Sequence, residues 1–258
     1  MGISFIILAV LCILTVPIAY AVGLAALGGL MVAGVPLQIV AQRMFTQTDS
    51  FSLMAIPFFI LAGNLMDKGG ISVKLIDLSS ELVGRIKGGL AMVCVVACMM
   101  FGAVSGSGAA ASAAIGAVLF PAMVEKKYNK SFSTAIIATS GPLGIVIPPS
   151  IVMVVYATAA NVSVGDLFLA GYIPGLLLGL GIILHCFVYA HKHNLPAGKK
   201  STLKSLGKAF FNSVWALFLV VIIMGGILGG FFTATEASVV AVVYAMIVGK
   251  FVYKGLNR

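Results

Sequence analysis

GGLAMVCVVACMMFGAVSGSGAAASAAIGAVLFPAMV, residues 88–124, carries no charge, with Arg85 and Lys87 before it and Glu125, Lys126, Lys127 and Lys130 after it. The run is too long for one membrane-spanning helix. Split at Ser105-Gly106-Ser107-Gly108, each half has about 17 residues, roughly 25 Å of helix against a hydrocarbon core of about 30 Å. Basic clusters at both ends place both ends on the cytoplasmic side. A hairpin that enters from the cytoplasm, turns deep in the membrane and returns meets both conditions. Irregular backbone at that depth needs burial in protein or a water-filled cavity, so on this reading the turn is a site. A second reading stands beside it. Gly108, Ser112 and Gly116 recur every four residues, as do Gly102 and Gly106. Small residues at that spacing let two ordinary spans pack closely, with the turn outside the membrane.

The whole chain fits a membrane setting. Of its 258 residues 61% are hydrophobic and 9% charged, and the mean hydropathy is +1.16. The expected class is an all-α polytopic membrane protein, with no room between apolar runs for a sizeable soluble domain. The net charge of +9 lies mostly in short loops, where it orients the chain; no nucleic acid is implied. The first apolar segment lacks the basic flank and cleavage site of a removable signal and is read as mature. Cys12, Cys94, Cys98 and Cys186 all lie in apolar runs and read as small packing residues rather than a metal site.

Outward from the hairpin, Ile3 to Tyr20 reads as a first span and Ala21 to Pro36 as a second, Gly-rich one. Gln38 to Asp49 reads as an external connection. Phe51 to Met66 then crosses inward, with Pro57 able to kink it and Asn64 hydrogen-bonding a neighbour or lining a site. Residues 1–66 are thus expected to be scaffold spans. Over 67–87, Ile71, Leu75, Leu78, Leu82 and Ile86 recur at helical spacing opposite Lys74, Asp77, Glu81, Arg85 and Lys87. That pattern predicts an amphipathic helix along the cytoplasmic interface, an arm or lever leading into the hairpin. Residues 131–160 have the apolar character of one span, yet Thr139-Ser140-Gly141-Pro142-Leu143-Gly144 and Pro148-Pro149-Ser150 cannot continue a helix. A discontinuous helix follows, and with 88–124 it makes a candidate transport block over 88–160. Residues 167–190 form the next span. A basic cytoplasmic loop over 191–209 holds His191, Lys192, His193, Lys199, Lys200, Lys204 and Lys208. Two more spans lie in 210–258, the second opened by a Thr233/Glu236 capping box. Two short, tightly joined spans at the start and two after Lys208, in opposite orientation, suggest an inverted repeat.

The hairpin and the broken helix offer carbonyl and hydroxyl oxygens and no carboxylate. Such neutral dipoles suit a weakly held monovalent cation, Na⁺, with helix N-termini facing an anionic substrate group. A divalent ion would call for carboxylates, and proton coupling for an acid or His in the same place. Enzymatic readings lack a base beside Ser105 or Ser107. A channel with a re-entrant selectivity loop is the alternative to a transporter.

The stretches AIPFFILAGNLMDKGG (55–70), FGAVSGSGAAASAAIGAVLFPAM (101–123), SGPLGIVIPPSIVMVVYA (140–157) and TATEASVVAVVYA (233–245) resemble the large membrane subunit (DctM/SiaM-like) of tripartite ATP-independent periplasmic (TRAP) transporters. The resemblance runs over nearly the whole chain in family order. It implies an inverted-repeat ion transporter of the bacterial inner membrane, driven by Na⁺ through an elevator mechanism and needing no cofactor. It also implies two partners, a small four-helix membrane subunit (DctQ-like) and a periplasmic binding protein (DctP-like). That binding protein delivers an organic acid such as a C4-dicarboxylate or sialic acid. By position, the sodium-binding tip corresponds to Ser105, Gly106, Ser107 and Gly108. The clasping broken helix corresponds to Ser140 through Ser150, with Ser140, Gly141, Gly144, Pro148, Pro149 and Ser150 as its candidate site residues. Family members continue through a second hairpin and a second broken helix, whereas this sequence ends at Arg258. Residues 210–258 therefore read as the opening of a second, incomplete repeat, in a fragment or in a chain completed by another polypeptide.

Overall fold

The computed structural model describes residues 2–198 and 202–257. Every regular element among them is helical, apart from one isolated antiparallel bridge between Lys87 and Ala197. Two compact units divide at Ser50/Phe51.

The first unit holds α1 (Gly2–Ile13), α2 (Ile18–Val32) and α3 (Leu37–Thr48). Pro17 and Pro36 stand at the N-caps of α2 and α3, where a missing amide costs nothing. The first break therefore falls at residues 14–17 rather than near Tyr20, because Pro17 starts a helix that hydropathy alone runs together with the one before. Residues 38–49, expected as a connection, are mostly α3. Their polar side chains lower the hydropathy, yet nothing between Pro36 and Asp49 breaks a helix. Within the α1–α2 pair, Gly28 lies against Ile7 and Gly29 against Ser4.

In the second unit a 3₁₀ turn (Phe51–Met54) leads into α4 (Ala55–Lys68). Pro57 sits in the first turn of α4, so it begins the helix instead of kinking it. The amphipathic helix, α5 (Ile71–Val83), is shorter than the 67–87 pattern. Gly70 holds φ +82° ahead of it and Gly84 caps its end. Ile71, Leu75 and Leu78 are buried as the periodicity requires, while Leu82 is 44% exposed. The buried face packs on α6 and α12. Two polar ties hold α5 to α12: the Ser213 hydroxyl donates to the Lys74 carbonyl at 2.8 Å, and the Ser205 hydroxyl to Glu81 Oε2 at 2.6 Å.

The uncharged run folds as a helical hairpin, α6 (Gly89–Ser105) and α7 (Gly108–Glu125), turning at Gly106-Ser107. Beyond it the broken helix is α8 (Lys130–Ser140), α9 (Leu143–Val146) and α10 (Ile151–Ala160), bent by 47° across the break. The long α11 (Val164–Lys192), α12 (Leu203–Leu228) and α13 (Ala234–Ile247) complete the unit. The basic segment overlaps both flanking helices: Lys192 closes α11, and Lys204 and Lys208 lie on α12, while Lys199 and Lys200 fall outside the described residues. The Thr233/Glu236 capping box is present, with the Thr233 amide donating to Glu236 Oε2 at 2.8 Å. α13 packs along α4. It is tied to α12 by the Tyr244 hydroxyl, which donates to the Trp215 carbonyl at 2.8 Å.

Five helical segments among the described residues are long and apolar enough to cross a bilayer: 51–68, 108–125, 164–192, 203–228 and 234–252. The bent pair 130–146 and 151–160 makes a sixth when taken as one span. The chain is an all-α, multi-pass membrane protein.

Candidate functional site

The turn of the hairpin is built from three local choices. Gly106 caps α6 in the left-handed region, at φ +65°, where a side chain is strained. Ser107 is extended and caps α7, its hydroxyl accepting from the Ala110 amide at 3.3 Å. Ser105, 3% exposed, folds its hydroxyl back on the turn, accepting from the Ser107 amide at 3.3 Å and donating to the Ser107 carbonyl at 3.4 Å.

Against this tip lies the unwound part of the broken helix. Prolines at 142, 148 and 149 remove the amides that would have bonded the carbonyls of Ala138, Gly144 and Ile145 in a continuous helix. Ile147 and Ser150 are extended, and the Pro148–Pro149 peptide is cis. Ser150 then caps α10, accepting from the Met153 amide at 3.4 Å. The two irregular segments join directly: the Ile151 amide donates to the Gly106 carbonyl at 3.2 Å. A Cβ at Gly106 would stand 3.2 Å from the Pro149 carbonyl oxygen.

The small residues make this approach possible. Gly102 lies against the Gly144 backbone, and a Cβ at Gly108 would meet the Gly141 carbonyl at 2.8 Å. Gly116 faces Ile137, and Ser112 donates to the Ile137 carbonyl at 3.5 Å. The every-fourth-residue stripe thus serves packing, and what it packs is the hairpin onto the broken helix.

The candidate cation residues therefore divide. Ser105, Gly106, Ser107 and Gly108 form one turn, with Pro149 and Ile151 directly against Gly106. Gly141 and Gly144 lie one step back, against Gly108 and Gly102. Ser140 is fully buried, and among the described residues its hydroxyl oxygen has no hydrogen-bond partner. A buried hydroxyl without a partner costs about 1–3 kcal/mol, so an oxygen-seeking ligand fits this donor set. Pro148 and Ser150 are buried in the unwound strand.

A cavity of about 410 Å³ opens at the tip. Its lining includes Ser105, Gly106, Ser107, the first residues of α7 and α10, and Asn64 of α4. Asn64 is exposed to this space and makes no hydrogen bond among the described residues, so of its two readings the cavity-lining one holds. Gly63 beside it brings α4 within reach of the tip, since a Cβ there would meet Ser105 Cα at 3.2 Å. Nothing in the local pattern announces Gly63; the lone amide in an apolar run was the available signal for the position next to it. Among the described residues no Lys or Arg lines the cavity. The first residues of α7 and α10 do, and helix N-termini carry a partial positive charge.

The family described as the DctM component of the tripartite ATP-independent periplasmic transporter matches residues 5–258. The chain is 45% identical over 251 residues to the isethionate TRAP transporter permease protein DctMQ of Oleidesulfovibrio alaskensis, covering 96% of this chain and 40% of that protein. It is also 45% identical over 255 residues to the C4-dicarboxylate TRAP transporter large permease protein DctM of Vibrio cholerae, covering 98% and 56%. With the 2,3-diketo-L-gulonate TRAP transporter large permease protein YiaN of Escherichia coli it shares 41% identity over 221 residues, covering 86% and 52%. The chain spans about half the length of these curated relatives.

Proposed function

The chain belongs to the family of DctM components of tripartite ATP-independent periplasmic transporters, and on that premise we propose that it serves sodium-coupled import of an organic acid across the bacterial inner membrane. The acid arrives on a periplasmic binding protein, and a small membrane subunit completes the permease. The observation that carries the reading is the junction of two irregular segments, hairpin tip and unwound helix, on one cavity. Substrates named for the relatives are isethionate, C4-dicarboxylates and 2,3-diketo-L-gulonate, organic anions all. An anionic group fits the α7 and α10 N-termini, whose helix dipoles favour negative charge without requiring a basic side chain. Sodium fits the neutral oxygens of Ser105, Ser107, Ser140 and the unwound carbonyls, where no carboxylate competes. The block 88–160 would then move as a body against the remaining spans, the elevator form of alternating access.

The test uses a complete complex with its binding protein in proteoliposomes. Uptake of a C4-dicarboxylate is expected to saturate and to cease without a sodium gradient. Ser107→Ala and Ser140→Ala should each raise the sodium needed for half-maximal uptake about fivefold, on the order of the 1 kcal/mol that one such contact supplies. Sodium dependence untouched by both changes would place the ion elsewhere, and non-saturating flux would revive the channel. Re-entry has its own check: cysteines at 105–108 in a Cys-free background should resist an impermeant thiol reagent added from outside. Rapid labelling there would make α6 and α7 two ordinary spans.

A further inference from the structure

We propose that the groove between α8 and α11 binds one anionic phospholipid, an acyl chain lying in the groove and the headgroup at its basic end. The groove encloses about 520 Å³, with Phe132, Ile136 and Thr139 on the α8 wall and Leu177, Leu178, Gly181 and His185 on the α11 wall. Thr139 spends its hydroxyl on the Ala135 carbonyl at 2.7 Å, leaving an apolar lining with His185 as its one open polar group. An added Cβ at Gly181 would meet no atom within 4 Å. The space is therefore real room, not a tight seam.

Charge selects the occupant. At one end the Phe132 ring stacks on Tyr189 with centroids 3.8 Å apart, and His193 stacks on the other side of Tyr189 at 4.2 Å. Lys130 precedes Phe132 by two residues, and His191 and Lys192 follow Tyr189. Lys130, His191, Lys192 and His193 are all exposed. Basic side chains at the mouth of a groove between spanning helices suit a phosphate headgroup. His185 lies seven residues before Lys192, about 10 Å deeper along the helix, where it can donate to the ester oxygens of the same lipid. A bare hydrocarbon chain would gain nothing here over the bilayer, since lipid tails are as apolar as the wall. The headgroup contacts make the site specific.

The test applies native mass spectrometry to the purified full chain in detergent, with palmitoyl-oleoyl phosphatidylglycerol or the phosphatidylcholine bearing the same chains. One phosphatidylglycerol should be retained at least fivefold better than phosphatidylcholine. Lys130→Gln and Lys192→Gln should each lower that retention about fivefold. Gly181→Phe, which fills the groove, should abolish it. Gly207→Phe, on α12 beside a different apolar groove and equally free of neighbours, should leave it intact. Should Gly181→Phe fail to fold, Leu178→Trp in a Trp215→Phe background reads the same point through fluorescence quenching by brominated phosphatidylglycerol over brominated phosphatidylcholine. Equal retention of both lipids, equal quenching by both, or retention unchanged in folded Gly181→Phe overturns the proposal. A groove occupied instead by a co-purifying membrane polypeptide overturns it as well.

Discussion

Two pairs of short apolar helices in this chain look alike by hydropathy and differ in almost everything else. α1 and α2 meet around residues 14–17; α6 and α7 meet around Gly106-Ser107. No residue of α1 is buried and α2 buries only Ala21 and Ala25, whereas thirteen of the seventeen residues of α6 are buried. Gly28 and Gly29 of α2 receive side chains, those of Ile7 and Ser4. Gly102 and Gly106 of the hairpin receive backbone: Gly144 at Gly102, Pro149 and Ile151 at Gly106. Their turns diverge as well. Thr15, a β-branched residue, holds φ +59°, a conformation the hairpin tip assigns to glycine. Apolar length therefore measures what a helix can be dissolved in, while backbone-to-backbone contact marks where the chain has been shaped for a purpose.

The comparison can be broken at its strongest point. Gly102→Leu drives a side chain into the Gly144 backbone and should cost 3 kcal/mol or more, about the upper range for overpacking. Gly23→Leu in α2, where an added Cβ meets nothing within 4 Å, should stay within about 0.5 kcal/mol of wild type. Reversible unfolding in mixed detergent reads both, and equal losses would erase the distinction. Gly106→Ala combines the left-handed backbone with the 3.2 Å approach to Pro149 and should cost about 2 kcal/mol. At the opposite turn, Thr15→Gly should stabilise by about 1 kcal/mol, because it relieves a β-branched residue at positive φ. A loss there would show that the Thr15 side chain makes a contact worth more than its strain. The smallest effect sharpens the picture: Ser112→Ala removes a long bond to the Ile137 carbonyl, and about 0.5 kcal/mol is expected. A much larger loss would make that bond a principal clasp between hairpin and broken helix.

What was legible in the sequence follows the range of the chemistry involved. The break in 131–160 could be read because proline's missing amide acts on its own turn, and the capping box because Thr233 and Glu236 are three residues apart. Residue 13 as the end of α1 was missed although Pro17 was in view, since apolar character continues unbroken to residue 37. α3 was missed for the opposite reason: its glutamines lower the hydropathy without weakening the helix. Asn64 shows the limit of local reading. Its place at the tip cavity depends on Gly63 meeting Ser105 from a point 42 residues distant in the chain, and no local pattern encodes that meeting. The candidate cation residues at the tip were read from their neutral oxygens and matched by resemblance, while the approach of Pro149 and Ile151 to Gly106 is a property of the fold.

The bond from the Ile151 amide to the Gly106 carbonyl ties the hairpin tip to the unwound strand. Parting the two would leave a donor and an acceptor unpaired, at a cost of about 1–3 kcal/mol for each group that stays buried. The tip and the unwound strand are better regarded as one stitched knuckle than as a gate and its frame. On the transport function proposed above, access from either side would come by carrying the knuckle whole or by moving the walls around it, with the stitch intact.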